Sequence, residues 1–137
     1  MTNSDHRKTK DIIQYGESAV FKPAEMLRLK SEFDFVRKNG IKYVGKYFLL
    51  VCVKSSEEDK LKIGIICGRK FNKNAVVRNR ARRLLKESFR LIKAQITPSQ
   101  IIFIPRKYIM DKSLQDVEIK MIDLLIKAGI WIKPTKK

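Results

Sequence analysis

Arg78, Asn79, Arg80, Arg82, Arg83 and Lys86 crowd the stretch VVRNRARRLLKESFR at 76–90, in which Glu87 is the one acid. Cations at this density bind phosphate. Arginine offers a planar fork to two oxygens and can stack on a base, while lysine supplies a compact point charge. The stretch reads as a helix, which makes Arg78/Arg82, Arg82/Lys86 and Lys86/Arg90 like-charged neighbours four residues apart. Each such pair costs on the order of 0.2–0.5 kcal/mol. A merely solvated helix face mixes signs and gains from doing so. A face that tolerates roughly a kilocalorie of self-repulsion suits a polyanion, whose arrival relieves it.

The remaining positions say how such a helix would sit. At about 100° per residue, Val77, Ala81, Leu84, Leu85, Ser88, Leu91 and Ile92 share one arc, the expected core face. Arg78, Asn79, Arg82, Arg83, Lys86 and Arg90 fill a contiguous arc of roughly 140° on the other side, with Arg80 at a border. Upstream, GRKFNKN at 68–74 adds Arg69, Lys70 and Lys73. This loop enters the helix N-terminus, where unpaired backbone N–H groups and the macrodipole also favour phosphate. A loop and helix end of this kind suit a folded RNA surface with closely spaced phosphates.

Composition agrees. The 137 residues hold 31 Lys+Arg against 14 Asp+Glu, a formal +17, in a chain that is 44% hydrophobic and 33% charged. That length gives one domain with a real core. The field attracts nucleic acid first and anionic membrane second. No segment approaches the roughly 18 apolar residues of a membrane span, and the N-terminus lacks an apolar run like a signal peptide's, so a cytoplasmic location is expected. Cys52 and Cys67 lie inside apolar runs with no metal or redox spacing. Free buried thiols are favoured, and a disulfide between neighbouring strands is the alternative.

Catalytic and metal-ligating constellations are missing from the sequence. The acids are dispersed, with Glu57, Glu58 and Asp59 in a turn and Asp111, Asp116, Glu118 and Asp123 around the last helical stretch. The single histidine, His6, neighbours Ser4 and Asp5 in a tail, where no scaffold could position a triad. No phosphate-cradling glycine loop has the required spacing. Neither catalytic nor metal-binding residues are expected in the protein itself.

The elements that must position the basic helix can be read around it. Residues 1–22 are polar and without period, an expected flexible extension. Residues 23–130 make the folded domain, and 131–137 a basic tail. A first helix is expected from about Glu32 to Lys38, with Ser31 and Asp34 resembling a capping box and Asn39-Gly40 as its stop. An earlier start, near Pro23, would put Met26, Leu29, Phe33 and Val36 on one face. A short strand near 42–45 precedes strands at 46–53 and 60–67, which an acidic turn separates. The basic helix follows at 75–94, then a strand at 100–105. A last helix from Ser113 to about Lys127 ends at Gly129. Three or four strands with helices packed against them make an α+β fold, a two-layer α/β sandwich.

With R78-N79-R80-A81-R82-R83-L84 preceded by I63-G64 and R69-K70, and with Glu32, Phe33, Val36 and Gly40 in the pattern E-F-x-x-V-x-x-x-G, the chain resembles the bacterial ribonuclease P protein subunit. The resemblance runs from about Ala24 to Ile126. It implies the order α-β-β-β-α-β-α with a left-handed β-α-β crossover, where general handedness rules would favour a right-handed one. It also implies a protein cofactor to a catalytic RNA that removes the 5′ leader of precursor tRNA by Mg²⁺-dependent hydrolysis, the metals held mainly by RNA. Arg69, Lys70, Arg78, Asn79, Arg80, Arg82, Arg83 and Lys86 would then face the RNA subunit, with Lys73 added by its place in the loop. A cleft between the first helix and the sheet would receive the leader, implying Phe33, Leu49 and Val51. Many relatives carry a second aromatic where Arg37 stands, and some a tyrosine where Val51 stands, so leader binding here would lean more on charge. Phe33 as an ordinary core residue is the alternative.

Other classes make separate demands. A ribosomal or rRNA-processing protein would share the charge and fold class but copurify with ribosomal RNA. An autonomous nuclease would cut precursor tRNA without RNA present. A peripheral membrane protein would need an aromatic face for insertion, which the basic helix lacks.

Overall fold

The computed structural model describes residues 25–55 and 60–132. The expectations for residues 1–22, for the acids Glu57, Glu58 and Asp59, and for 133–137 lie outside these residues. In chain order the elements are α1 (Lys30–Asn39), β1 (Ile41–Val44), β2 (Phe48–Lys54), β3 (Lys62–Ile65), α2 (Ala75–Ile92), β4 (Ser99–Pro105) and α3 (Leu114–Ala128). This is the α-β-β-β-α-β-α order expected, in an α+β fold. Short 3₁₀ turns follow α2 at Lys93–Gln95 and β4 at Lys107–Ile109.

The four strands form one mixed sheet in the order β1-β2-β4-β3. β2 pairs antiparallel with both β1 and β4, the latter in register from Phe48↔Pro105 to Lys54↔Ser99. β3 and β4 are parallel neighbours joined through α2, so the basic helix is itself the β-α-β crossover. β2 and β4 are the central strands, and their apolar residues point to both faces, which makes each face a site of burial.

One face carries the main core. Phe48, Leu50, Cys52, Ile63, Ile101 and Phe103 meet Ala81, Leu85 and Phe89 of α2 and Val117, Met121 and Leu125 of α3. Phe103 stands edge-on to both Phe48 and Phe89, at centroid separations of 5.6 and 5.7 Å. This sheet and its helix pair form the two layers expected, and α1 adds a third. On the opposite face α1 lies alone, closing Val36 with Leu27 over Val51 and Ile102. Both cysteines are free and buried, as favoured. Burial pushes both thiols above their ordinary pKa, against a downward pull from Lys54 on Cys52 and from Arg82 and Arg78 on Cys67.

The start of α1 differs from expectation. Leu29, not Ser31, takes the N-cap position, and Glu32 reaches back to accept from the backbone N–H groups of Arg28 and Leu29 at 2.6 and 3.0 Å. Asp34 pairs with Lys30 instead of capping. Glu is long enough to bridge from the first turn to the cap backbone, and that reach fixes the boundary. Leu29 is consequently exposed, and Met26 bridges to Ile63 beside β3 rather than joining a longer helix. α3 starts after Ser113 and ends at Gly129 (φ 77°) as expected, and Asp116, read in the sequence only as one of the dispersed acids, closes a reciprocal capping box with Ser113. Trp131 bridges to Ile96, so the described fold continues to the start of the expected tail.

Candidate RNA interface

The loop between β3 and α2 is built before it is charged. Phe71 packs partly against the main core, and its N–H donates to Gly68 at 3.0 Å. Asn72 Oδ1 accepts from the Asn74 N–H at 2.8 Å. Asn74 then caps α2, its Oδ1 accepting from Val76 and Val77 at 2.8 and 3.4 Å. The sequence reading did not single out these asparagines, although Asn just before a helical period is a strong cap signal. The cap occupies the N–H groups of Val76 and Val77, two of the helix-end donors expected to favour phosphate.

Two arginines lock the loop to the helix. Arg78 donates through Nη1 to the carbonyl oxygens of Asn72 and Lys73 at 3.0 and 2.9 Å. Arg82 donates to the Cys67 carbonyl and to Asn79 Oδ1, both at 2.8 Å. The Cys67 thiol in turn lies 3.7 Å from the Arg78 carbonyl oxygen. On the helical wheel Arg78 and Arg82 fall only about 20° and 60° from the meridian of buried Leu85, which is why they turn inward. Their forks satisfy carbonyls while part of each guanidinium still faces water.

The basic residues therefore divide. Arg78 and Arg82 are half-buried and shape the surface. Arg69, Lys70, Lys73, Asn79, Arg80, Arg83 and Lys86 are exposed and present it. All nine belong to one continuous loop-and-helix unit. Arg90 departs from the expected exposed arc, being only 6% exposed and paired with Glu87. One turn on, Lys93 pairs with Glu25 at 3.0 Å, so chain from before α1 packs across this end of the helix. Phe89, absent from the expected core face, is buried on it. Against these cations α2 has no acid in its first turn.

The other candidate surface lies across the sheet. Phe33 is half-buried, and its ring rests on β3 at Gly64, where a Cβ would come within 2.5 Å of the Phe33 ring. Only glycine permits that approach. Arg37, about 40° further round α1, is exposed on the same flank. Leu49, two residues before Val51 on the same face of β2, and its cross-strand partner Ile104 are half-buried and make an apolar shelf. Val51 is 6% exposed beneath α1 and so forms floor rather than wall. Phe35, not weighed in the sequence, is an exposed aromatic roughly 160° round the helix from Phe33.

Among the described residues no three His, Cys, Asp or Glu side chains cluster as a metal site requires, and no helix is long and apolar enough to cross a membrane.

Comparison with known proteins covers the same parts. The sequence model of the family described as Ribonuclease P matches residues 21–129. The ribonuclease P protein component of Clostridium botulinum (strain 657 / Type Ba4) is 36% identical over 107 residues, 77% of this chain and 95% of that protein. That of Clostridioides difficile (strain 630) is 36% identical over 114 residues, 82% of this chain and 98% of its own length. The RNase P protein from Thermotoga maritima superposes with a TM-score of 0.66 at 31% identity, covering 75% of this chain and 96% of that one. A Staphylococcus aureus RNase P protein, at 23% identity and a TM-score of 0.67 over 80% of this chain and 98% of its own, shows the shared fold. Similarity at this level, running through α1, the whole sheet, the arginine helix and the loop it locks, assigns the chain to a family: it belongs to the bacterial ribonuclease P proteins.

Proposed function

We propose that this protein is the RNA-binding subunit of a ribonuclease P holoenzyme, assisting a catalytic RNA in removing the 5′ leader from precursor tRNA in the cytoplasm. The observation that carries the reading is the locked loop and one-signed face of α2, which hold seven exposed polar or cationic groups ready for phosphate. Arg69, Lys70, Lys73, Arg80, Arg83 and Lys86 neutralise phosphates of the RNA subunit, Asn79 adds a neutral hydrogen-bonding group, and Arg78 and Arg82 hold the loop in shape. The shelf of Phe33, Arg37 and Leu49, floored by Val51, receives the single-stranded leader. There Phe33 supplies the ring and Arg37 the charge.

The Mg²⁺ that hydrolysis implies finds no donor set among the described residues. Its sites are assigned to the RNA, and the protein's contribution is electrostatic. Its cations offset repulsion between two RNAs and so lower the Mg²⁺ concentration at which they assemble. The test is cleavage of a precursor tRNA by transcribed ribonuclease P RNA, with and without this protein, across a Mg²⁺ titration. The protein should shift the Mg²⁺ requirement downward and cut nothing by itself. Efficient cleavage by RNA-depleted protein would refute the assignment.

A further inference from the structure

The β1–β2 turn and the β4–α3 connection meet in a hollow of about 480 Å³ whose walls carry Lys46, Tyr47, Lys107, Tyr108, Asp111 and Lys112. Tyr108 is 48% exposed, and the Arg106 guanidinium and Lys107 Nζ lie 5.4 and 5.5 Å from its ring centroid. Lys112 Nζ lies 5.3 Å from the ring of Tyr47. The framework is fixed: Arg106 donates to the Gly45 carbonyl at 2.8 Å through its side chain and to that of Tyr47 at 2.9 Å through its backbone. The one acid, Asp111, points largely to solvent and only loosely approaches Lys112, at 3.8 Å. A half-exposed tyrosine among four cations is unneeded by the core, which closes without it.

Its position links it to the arginine loop. β3 runs parallel to β4 and β2 antiparallel to it, so the exits of β3 and β4 and the entry to β2 share one end of the sheet. Strands lie about 4.8 Å apart, which separates β2 from β3 by roughly 10 Å. The hollow and loop 68–74 therefore lie at the same end of the sheet.

We infer that this hollow is a second RNA contact, taking one unpaired nucleotide of the same catalytic RNA that the α2 loop engages. The base lies on the Tyr108 ring, and the flanking phosphates meet Lys46, Lys107 and Lys112. Exposed Lys107 leaves the ring for phosphate as the base arrives, while Arg106 stays anchored on Gly45. An acidic peptide would use the cations and leave the ring idle, whereas a nucleotide uses both. The identity of the RNA rests on the proposed function.

The test uses the full-length protein and transcribed ribonuclease P RNA, with affinity measured over a salt series and a thermal melt for each variant. Tyr108→Ala should weaken binding about 5- to 150-fold, the range for one lost base stack. Tyr108→Phe should bind like wild type and Tyr108→Leu should resemble the alanine variant. The pair Lys46→Gln and Lys107→Gln should flatten the log–log salt slope by about one to two units. Lys86→Gln on α2 serves as the reference for the loop-and-helix surface. If it weakens binding while Tyr108→Ala binds normally, this second contact is overturned and the proposed function stands. A wild-type protein indifferent to this RNA overturns both. Loss confined to precursor tRNA binding by the preformed holoenzyme overturns the assignment to the catalytic RNA.

Discussion

Arg82 and Lys86 stand one turn apart on α2 with the same charge and do different things. The Arg82 fork is committed to the Cys67 carbonyl and Asn79 Oδ1, whereas Lys86 reaches into solvent. Lys86→Ala should flatten the salt dependence of RNA binding by about 0.7–0.9 log units per log unit and leave the melt unchanged. Arg82→Lys keeps the charge and loses the fork. It should retain most of the salt slope while loosening the loop by about 1 kcal/mol, the worth of the one hydrogen bond to the Cys67 carbonyl. Hydrogen exchange at the Phe71 and Asn72 amides, whose N–H groups point at Gly68, reads that loosening directly. Unchanged exchange in Arg82→Lys would show that the fork is not what orders the loop. The sequence makes the cationic arc plain, because periodicity alone generates it. The division into inward and outward arginines depends on where loop carbonyls return to the helix, and Arg90 on what covers it, neither of which a local pattern encodes.

Helix ends and the α1–β3 contact belong to the scale of elements. Backbone N–H groups of Arg28 and then Leu29 hold the Glu32 carboxyl below its ordinary value of 4.5, with Lys62 adding to the effect. The Ser113 backbone and hydroxyl hold Asp116 below 3.8. Depressed carboxylates stabilise the fold fully above their unfolded values, and that share is lost as pH falls through the folded ones. The melting temperature should therefore drop on acidification from about pH 5 to pH 3, and less steeply in Glu32→Gln and Asp116→Asn. Parallel curves for these variants and wild type would remove the caps as the cause. At the contact, Gly64→Ala should cost about 1–3 kcal/mol by displacing the Phe33 ring. Adding Phe33→Leu should return part of that loss, which a double-mutant cycle measures. Simple additivity would mean that the ring is not seated on Gly64. Ser113 and Gly129 were legible because capping is local, whereas Asp116 stood in the sequence only among the dispersed acids and its role in the capping box was missed. Leu29 as N-cap was hidden, since leucine offers no capping oxygen and the signal lay in Glu32 alone. Gly64 was visible only as part of a motif, because what it touches lies thirty-one residues earlier.

For the molecule as a whole, a formal +17 on 137 residues means that the free protein repels itself. Its melting temperature should rise with added salt at low ionic strength and rise further with bound RNA, by linkage. A melt insensitive to both would show that the charges are too dispersed to matter. The order of elements and the two apolar strand cores could be read along the chain. The spatial order β1-β2-β4-β3 could not, since β4 enters between strands that are consecutive in sequence. That insertion brings the exits of β3 and β4 together at one end and gathers cations from three separated segments. Sequence inspection found only the segment in which the cations were contiguous.

The clamp formed by Arg78, Arg82, Asn72 and Asn74 also has a kinetic meaning. The loop's conformational entropy is surrendered when the protein folds, so little ordering remains for the moment of encounter. Association should then be limited by steered diffusion, at about 10⁸–10⁹ M⁻¹s⁻¹ in low salt and falling steeply as salt rises. Loosening the clamp by Arg82→Lys should slow arrival itself, a change visible in stopped-flow traces.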